Sequence, residues 1–249
     1  MDLLKVLLVL VLGVSVNSDV SLQKRIIRGH NCDDKELLYH VRLLGRNPTT
    51  ENLCGGSLIH PEWILTATHC WKTDPDWILT ATFGVHPRTA KQHDQIIQHD
   101  PVIYTDHGQQ HDIMLLKLQT PVTDVPLAQL PECSNRLKIG NTVQLAGEGG
   151  TTVGPNNQRL PDSPISPHLQ CVNMNVLKVS LFEPTRGHYF RVSAANKDVC
   201  YGDSGGGVIF NNRIYGVIAE GGPDPCQTPP VIMDVCEYLG WIKSKTGLK

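Results

Sequence analysis

The sequence predicts an all-β protein that ends in a helix. Short apolar runs of strand length recur along the chain, and 22 glycines and 17 prolines are scattered between them. Sustained helical periodicity occurs only in residues 235–247. Many short strands with Gly- and Pro-containing connections are typical of a β-barrel or a β-sandwich.

The predicted elements follow from local composition. Five apolar runs have the length of strands, at residues 63–66, 112–118, 142–146, 207–210 and 214–219. Segments rich in turn-forming residues separate them, at 45–52, 149–167 and 221–230. Because Gly, Pro and Asn interrupt regular structure, we interpret these segments as loops.

The N-terminus has the organisation of a secretory signal peptide. Lys5 precedes the apolar run 6–14, and small and polar residues follow as far as Ser18. A membrane-spanning helix needs roughly 20 apolar residues, and no run in the chain approaches that length. We therefore expect residues 1–18 to be a signal peptide and the protein to be secreted, without a membrane anchor.

Charge and cysteine content limit the partners and cofactors. The formal net charge is −2 and no basic face is evident, so nucleic acid is not expected as a partner. Eight cysteines in an exported chain predict disulfides, although spacing alone does not assign their pairing. The chain has no C-x-x-C pair, which argues against zinc or redox chemistry. We expect neither metal nor cofactor.

The motif GDSGG at residues 202–206 is the sharpest chemical signal. Glycines beside Ser204 let the backbone turn tightly, leave the hydroxyl accessible and let N–H groups converge on an oxyanion. A serine needs a base to take its proton, and the base needs an acceptor that fixes its tautomer. His69, beside Cys70, and Asp112, at the start of an apolar segment, are the candidates.

Chain order separates two hydrolase architectures. The motif also fits the G-x-S-x-G elbow of α/β-hydrolases such as lipases and esterases, in which the histidine follows the serine. The last histidine here is His188, which precedes Ser204. The order His69, Asp112, Ser204 is instead that of the chymotrypsin arrangement.

From residue 26 onward the chain resembles the trypsin/chymotrypsin family of serine proteases. The matching segments occur in family order: CGGSLI at 54–59, TATHC at 66–70, DIML at 112–115 and GDSGG at 202–206. The resemblance implies two packed six-stranded antiparallel β-barrels with a C-terminal helix and a site at their junction. It implies a serine endopeptidase that acts on peptides or proteins as a monomer.

The resemblance also implies a role for each candidate. His69 would be the general base and then the general acid, and Asp112 would orient it. Ser204 would attack the peptide carbonyl and form an acyl-enzyme. The backbone N–H groups of Gly202 and Ser204 would form the oxyanion hole.

A zymogen mechanism is implied as well. Cleavage after Arg25 by an activating protease would release a propeptide, residues 19–25, and leave residues 26–249 as the protease domain. The new ammonium group of Ile26 would pair with Asp203, because a buried carboxylate demands a partner. The implied disulfides use all eight cysteines: Cys32–Cys171, Cys54–Cys70, Cys133–Cys236 and Cys200–Cys226.

The implied specificity pocket is trypsin-like at its floor and altered at its walls. Asp198 would select Arg or Lys before the scissile bond. Val199 stands where trypsins have a serine, which favours arginine over lysine. Gly221 keeps an open wall, but Pro230 replaces a glycine and removes an N–H, so it narrows or reshapes the pocket.

Three further substitutions lie near the implied substrate strand. Ala219 replaces a serine, and Glu220 and Glu148 each replace a tryptophan. Together with Asp198, Glu220 would favour basic substrates. The pocket changes also keep open an alternative: a weak or inactive protease homologue that acts as a binding protein. Protein inhibitors of proteases are further expected partners.

Two weaker patterns carry no site. His107 and His111 are four residues apart, but Gly108 lies between them, so we expect a solvated loop rather than a metal pair. The segment 84–97 matches the calcium loop of trypsins, yet Asp94 is its only carboxylate. Because Ca²⁺ prefers several oxygen ligands, we expect none there.

Overall fold

The computed structural model describes residues 29–149, 166–195, 199, 201–219 and 229–249. The expected signal peptide, propeptide and Ile26 lie outside these ranges. Within them the chain forms fourteen strands, one 3-10 turn and one α-helix. The prediction of an all-β fold with a C-terminal helix is therefore confirmed.

The first sheet lies in the N-terminal half. After β1 (His30–Asn31), which joins the other sheet, the strands are β2 (His40–Arg46), β3 (Glu51–His60), β4 (Trp63–Thr66), β5 (Ile78–Phe83), β6 (His93–Ile96), β7 (Val102–Asp106) and β8 (Gln109–Lys117). Their spatial order is β6-β5-β2-β3-β4-β8-β7, and all pairs are antiparallel.

The second sheet closes into a barrel. Its strands are β9 (Thr142–Gly147), β10 (Gln170–Glu183), β11 (Gly187–Ser193), β12 (Gly207–Phe210), β13 (Arg213–Ile218) and β14 (Val231–Asp234). The spatial order is β1-β10-β11-β14-β13-β12-β9, and β9 also pairs with β10. Because of that extra pairing, each strand from β9 to β14 has a neighbour on both sides, and the six strands form a closed barrel.

Alternation of apolar and polar residues explains which faces are buried. In β10, Val172, Met174 and Val176 are buried, whereas the intervening Asn173 and Asn175 are exposed. Side chains point alternately to opposite faces of a strand, so this pattern directs one face into the barrel. Apolar residues from all six barrel strands meet there in one core cluster.

The single helix of the described ranges, α1 (Val235–Thr246), follows β14 directly. The Asp234 side chain caps it by accepting from the Cys236 N–H at 3.1 Å, and Gly247 ends it with φ of 76°. Both features satisfy backbone groups that a helix leaves without partners at its ends. No helix in the described part of the chain is long and apolar enough to span a membrane.

Three of the four expected disulfides are formed. Cys32–Cys171 joins the first described segment to β10, Cys54–Cys70 joins β3 to the turn after β4, and Cys133–Cys236 joins the connection between the sheets to α1. Cys200 and Cys226 lie outside the described residues. Bridges that span 139 and 103 residues restrict the unfolded chain more than short ones.

Candidate active site

His69 and Asp112 form a close pair in the first sheet. His69 lies in the 3-10 turn Thr68–Cys70, directly after β4. Its Nδ1 is 2.9 Å from Oδ2 and 3.1 Å from Oδ1 of Asp112, and its backbone N–H donates to Oδ1 at 3.0 Å. Because a carboxylate accepts, Nδ1 carries the proton, and Nε2 is the nitrogen able to take another.

Asp112 is fixed by one contact from each half of the molecule, the first domain being the first sheet with its connections and the second domain the closed barrel. Its backbone N–H donates to the Arg186 carbonyl at 3.0 Å, in the turn between β10 and β11. The preceding carbonyl, of His111, accepts from Thr68 Oγ1 at 2.8 Å. The aspartate therefore lies inside β8 and is held from both sides. Its expected place at the start of a strand was wrong, because β8 already begins at Gln109.

We expected His107 and His111 to lie in a solvated loop, which is correct for His107 and wrong for His111. His107 is 92% exposed, but His111 is buried in β8. Nδ1 of His111 lies 3.0 Å from the Tyr238 hydroxyl, which accepts from the His188 N–H at 2.7 Å. The Tyr238 hydroxyl therefore contacts both His111 Nδ1 and the His188 N–H. His111 supports the strand that carries Asp112.

Ser204 lies in a turn that requires glycine. Gly202 and Gly205 have φ of 97° and 79°, a region that L side chains rarely adopt. A Cβ on Gly205 would lie 2.3 Å from the Gly55 carbonyl oxygen and 3.3 Å from Cys70 Sγ. The serine turn therefore packs against the disulfide next to His69, and Ser204 is brought to the same junction.

Two backbone hydrogen bonds hold this turn between the sheets. The Gly55 N–H, in β3, donates to the Ser204 carbonyl at 2.7 Å. The Gly205 N–H donates to the Ile218 carbonyl at 2.7 Å, in β13. The nucleophile position expected from the sequence is thus bound to both domains.

Asp203 is fully buried beside Ser204. Its Oδ1 accepts from the Gly149 N–H at 2.9 Å. A Cβ on Gly147 would approach Oδ1 to 2.1 Å, so the last residue of β9 must be glycine. Arg25 and Ile26, the expected activation residues, lie outside the described residues.

Only part of the expected specificity pocket lies in the described residues. Val199 and Ala219 are 4% exposed and Pro230 is buried. The Ala219 N–H donates to the Val231 carbonyl at 2.9 Å, which aligns the end of β13 with β14. Asp198, Glu220 and Gly221 lie outside the described residues.

A polar cleft of about 340 Å³ adjoins the histidine–aspartate pair. Its lining comes from both domains and consists of Thr68, His69, Gln110, His111, Asp112, Thr185 and Arg186. Sequence reasoning missed Thr185 and Arg186. The only local signal is a Pro-Thr-Arg-Gly sequence that predicts a turn, because their approach to β8 depends on packing of the two domains.

A partly buried ion pair was also missed. Glu148, next to Gly149, is 3% exposed and accepts from Arg42 Nε at 3.0 Å and from its Nη2. Burial raises the pKa of Glu148, and the Arg42 charge opposes that change. Burial, and then the Arg42 charge, lower the pKa of nearby His40 to about 3. His40 is therefore neutral.

A histidine–aspartate pair and a glycine-flanked serine, at the junction of two β domains, are the constituents of a serine-hydrolase site. The family model described as trypsin matches residues 26–242. The chain therefore belongs to the trypsin family of serine proteases and is a serine endopeptidase.

Individual relatives agree with this class. Snake venom serine protease KN2 of Trimeresurus stejnegeri is 30% identical, over 88% of this chain and 86% of its own length. Thrombin-like enzyme halystase of Gloydius blomhoffii is 31% identical, over 88% and 95%. Kallikrein 1-related peptidase b11 of Mus musculus is 30% identical, over 95% and 96%. The family assignment supports peptides or proteins as substrates.

Proposed function

We propose that the protein is a secreted zymogen whose active form cleaves peptide bonds after arginine, and also after lysine. The observation that carries this proposal is the 2.9 Å contact between His69 Nδ1 and Asp112 Oδ2 beside the Ser204 turn. This geometry directs the basic Nε2 away from the aspartate, as a general base requires.

The proposed reaction uses each group in turn. Ser204 Oγ attacks the carbonyl carbon while His69 Nε2 takes its proton, and Asp112 stabilises the imidazolium. The N–H groups of Gly202 and Ser204 bind the tetrahedral oxyanion. His69 then protonates the leaving amine, and the acyl-enzyme forms. Water, deprotonated by His69, attacks the acyl-enzyme, and His69 returns that proton to Ser204 Oγ as the acid is released.

Activation is proposed to follow cleavage between Arg25 and Ile26. The Ile26 ammonium would pair with Asp203, which is fully buried and adjoins the nucleophile. The pairing would select the conformation of residues 202–204 that binds the oxyanion. An activating protease is therefore a proposed partner, and protein inhibitors would bind the completed site of the monomer.

Arginine preference is proposed from the pocket residues. Asp198 would pair with the substrate guanidinium, and Val199 offers no hydroxyl to a lysine ammonium. Glu220 adds a second carboxylate, while Gly221 leaves room for the side chain. Pro230 would form the pocket wall opposite Gly221.

A second candidate is a binding protein with weak or absent turnover. It is favoured by the burial of Pro230 and by the missing hydroxyl of Ala219, both in the pocket region. In this candidate, the Pro230 ring would fill space that an arginine side chain needs.

Hydrolysis of arginine- and lysine-amide peptides by protein cleaved after Arg25 separates the candidates. We expect turnover with arginine exceeding that with lysine, and its loss in Ser204→Ala. A folded, correctly cleaved protein with no turnover would contradict the endopeptidase proposal. Restoration of turnover by Pro230→Gly would then identify the wall that blocks the pocket.

A further inference from the structure

The Arg42–Glu148 pair joins the two domains. Arg42 lies in β2 of the first sheet, and Glu148 follows the last residue of β9 in the closed barrel. The guanidinium binds both carboxylate oxygens, one of them at 3.0 Å from Nε. His40 Nε2 lies 3.8 Å from the same carboxylate without a hydrogen bond, so Arg42 supplies the charge that balances Glu148.

Each partner lies beside a glycine whose backbone N–H binds residue 203 or 204. Arg42 is opposite Gly55 in the β2–β3 register, and the Gly55 N–H donates to the Ser204 carbonyl. Glu148 precedes Gly149, whose N–H donates to Asp203 Oδ1 at 2.9 Å. The pair therefore connects the two backbone segments that hold residues 203 and 204.

The segment around Glu148 needs such an anchor. Gly147 and Gly149 both lie too close to Asp203 to carry a side chain. Glycine has the greatest backbone freedom of any residue, so the two glycines place no side-chain restraint on the segment. Gly147 is still paired with Gln170 in the β9–β10 ladder. In the triplet 147–149, Glu148 is the residue whose side chain can restrain the backbone.

The pair need not serve stability, because Glu148 is 3% exposed and Arg42 only 19%. An ion pair that is largely removed from water loses much solvation, and apolar residues of similar size often replace a buried pair without loss of stability. A specific positioning role is consistent with this cost, because the bidentate fork of arginine fixes a carboxylate in one orientation.

We propose that Arg42 and Glu148 are positioning residues that hold the Gly147–Gly149 segment against Asp203 and thereby set the geometry of the oxyanion loop. This inference rests on the proposed function. The pair does not touch the substrate. It acts through Gly149 on Asp203 and, from there, on the N–H groups of Gly202 and Ser204.

The test replaces both charges at once with Arg42→Met/Glu148→Leu in the full chain, cleaved after Arg25. Removing both avoids leaving one buried charge without a partner. The matched control is Arg213→Met/Glu132→Leu, which removes another Arg–Glu pair, 2.8 Å long and more exposed. Thermal unfolding, turnover of an arginine amide per folded molecule, and exchange of the ¹⁵N-labelled Gly149 amide are measured.

We expect the double variant to melt close to the wild type, with kcat lowered about tenfold or more and KM changed less than twofold. Removal of one oxyanion donor lowers kcat by a factor of about 10²–10³. A donor that is displaced but still present should lower kcat by a smaller factor. The Gly149 amide should exchange at least about tenfold faster as its bond to Asp203 weakens. The control pair should leave all three quantities unchanged.

Three outcomes would overturn the inference. They are a wild-type kcat in the folded double variant, an unchanged exchange rate of the Gly149 amide, or a return of both quantities to wild-type values under conditions that restore only the folding stability. If the double variant does not fold, Arg42→Lys keeps the charge and removes the fork. A wild-type kcat and wild-type Gly149 exchange in Arg42→Lys would likewise count against it. A wild type without turnover would contradict the proposed function, while the Gly149 exchange would still decide this inference.

Discussion

The hydroxyl of Tyr238, in the terminal helix α1, lies 3.0 Å from Nδ1 of His111, the residue before Asp112. The same hydroxyl accepts from the His188 N–H at 2.7 Å. One phenol therefore joins a strand of each domain. Because His111 is adjacent to Asp112, this contact links the helix to the orientation of the proposed triad.

Removing that hydroxyl should affect both stability and turnover. In Tyr238→Phe, the His188 N–H and His111 Nδ1 each lose a partner, and we expect the free energy of unfolding to fall by about 1–3 kcal/mol. Turnover per folded molecule should fall several-fold as Asp112 shifts. The control Tyr215→Phe removes hydroxyl bonds to the Glu132 and Asn135 carbonyls. It should lower stability alone.

Asp112→Asn tests the proposed triad directly. An amide that donates to Nδ1 would place the imidazole proton on Nε2, so His69 could no longer take the serine proton. We expect kcat to fall by a factor on the order of 10⁴, as for a triad of this type. The control is Asp106→Asn, at a half-exposed side chain in the same sheet. Comparable loss of turnover in both variants, or none in Asp112→Asn, would argue against the assigned role.

Gly205→Ala should prevent stable assembly of the serine turn. Its Cβ would meet Thr66 Oγ1 at 2.2 Å and the Gly55 carbonyl oxygen at 2.3 Å. We expect a loss of more than about 4 kcal/mol in urea unfolding. Gly108, with φ of 80° and open space around it, is the matched control. Gly108→Ala should cost only the backbone strain, about 1–2 kcal/mol.

His40 should make stability depend on pH. Its pKa falls from 6.5 to about 3 in the folded protein, so the folded state resists protonation more than the unfolded state. The stabilising contribution is complete above about pH 6.5 and is lost as the pH falls towards 3. We expect Tm to decrease over this interval less steeply in His40→Gln. The control His107→Gln, at a 92% exposed side chain, should keep the wild-type slope.

Local turn chemistry explains where strand prediction succeeded and where it failed. Residues 207–210 form β12 with the expected bounds, because Asn211 and Asn212 both adopt positive φ and close a two-residue hairpin. The turn before β8 uses His107 and Gly108, also at positive φ. His-Gly is a weaker hairpin signal than Asn-Gly, so the strand was predicted to begin too late.

Contacts between segments that are distant in the chain could not be predicted from local sequence patterns. GDSGG, TATHC and DIML indicated the candidate site, because they carry Ser204, His69 and Asp112 in the order and spacing of the trypsin family. Arg42 and Glu148 are separated by 106 positions, and neither has a neighbour in sequence that indicates the other. Their pairing depends on how two sheets pack, which periodicity and turn residues do not encode.

The helix α1 follows the last strand of the closed barrel, yet its Tyr238 supports the strand of Asp112 in the other domain. A polypeptide cut between β14 and Tyr238 keeps every strand of both sheets but lacks this support. Proteolytic competence therefore depends on α1, and a truncation before Tyr238 should accumulate as an incompletely ordered protein rather than a smaller enzyme.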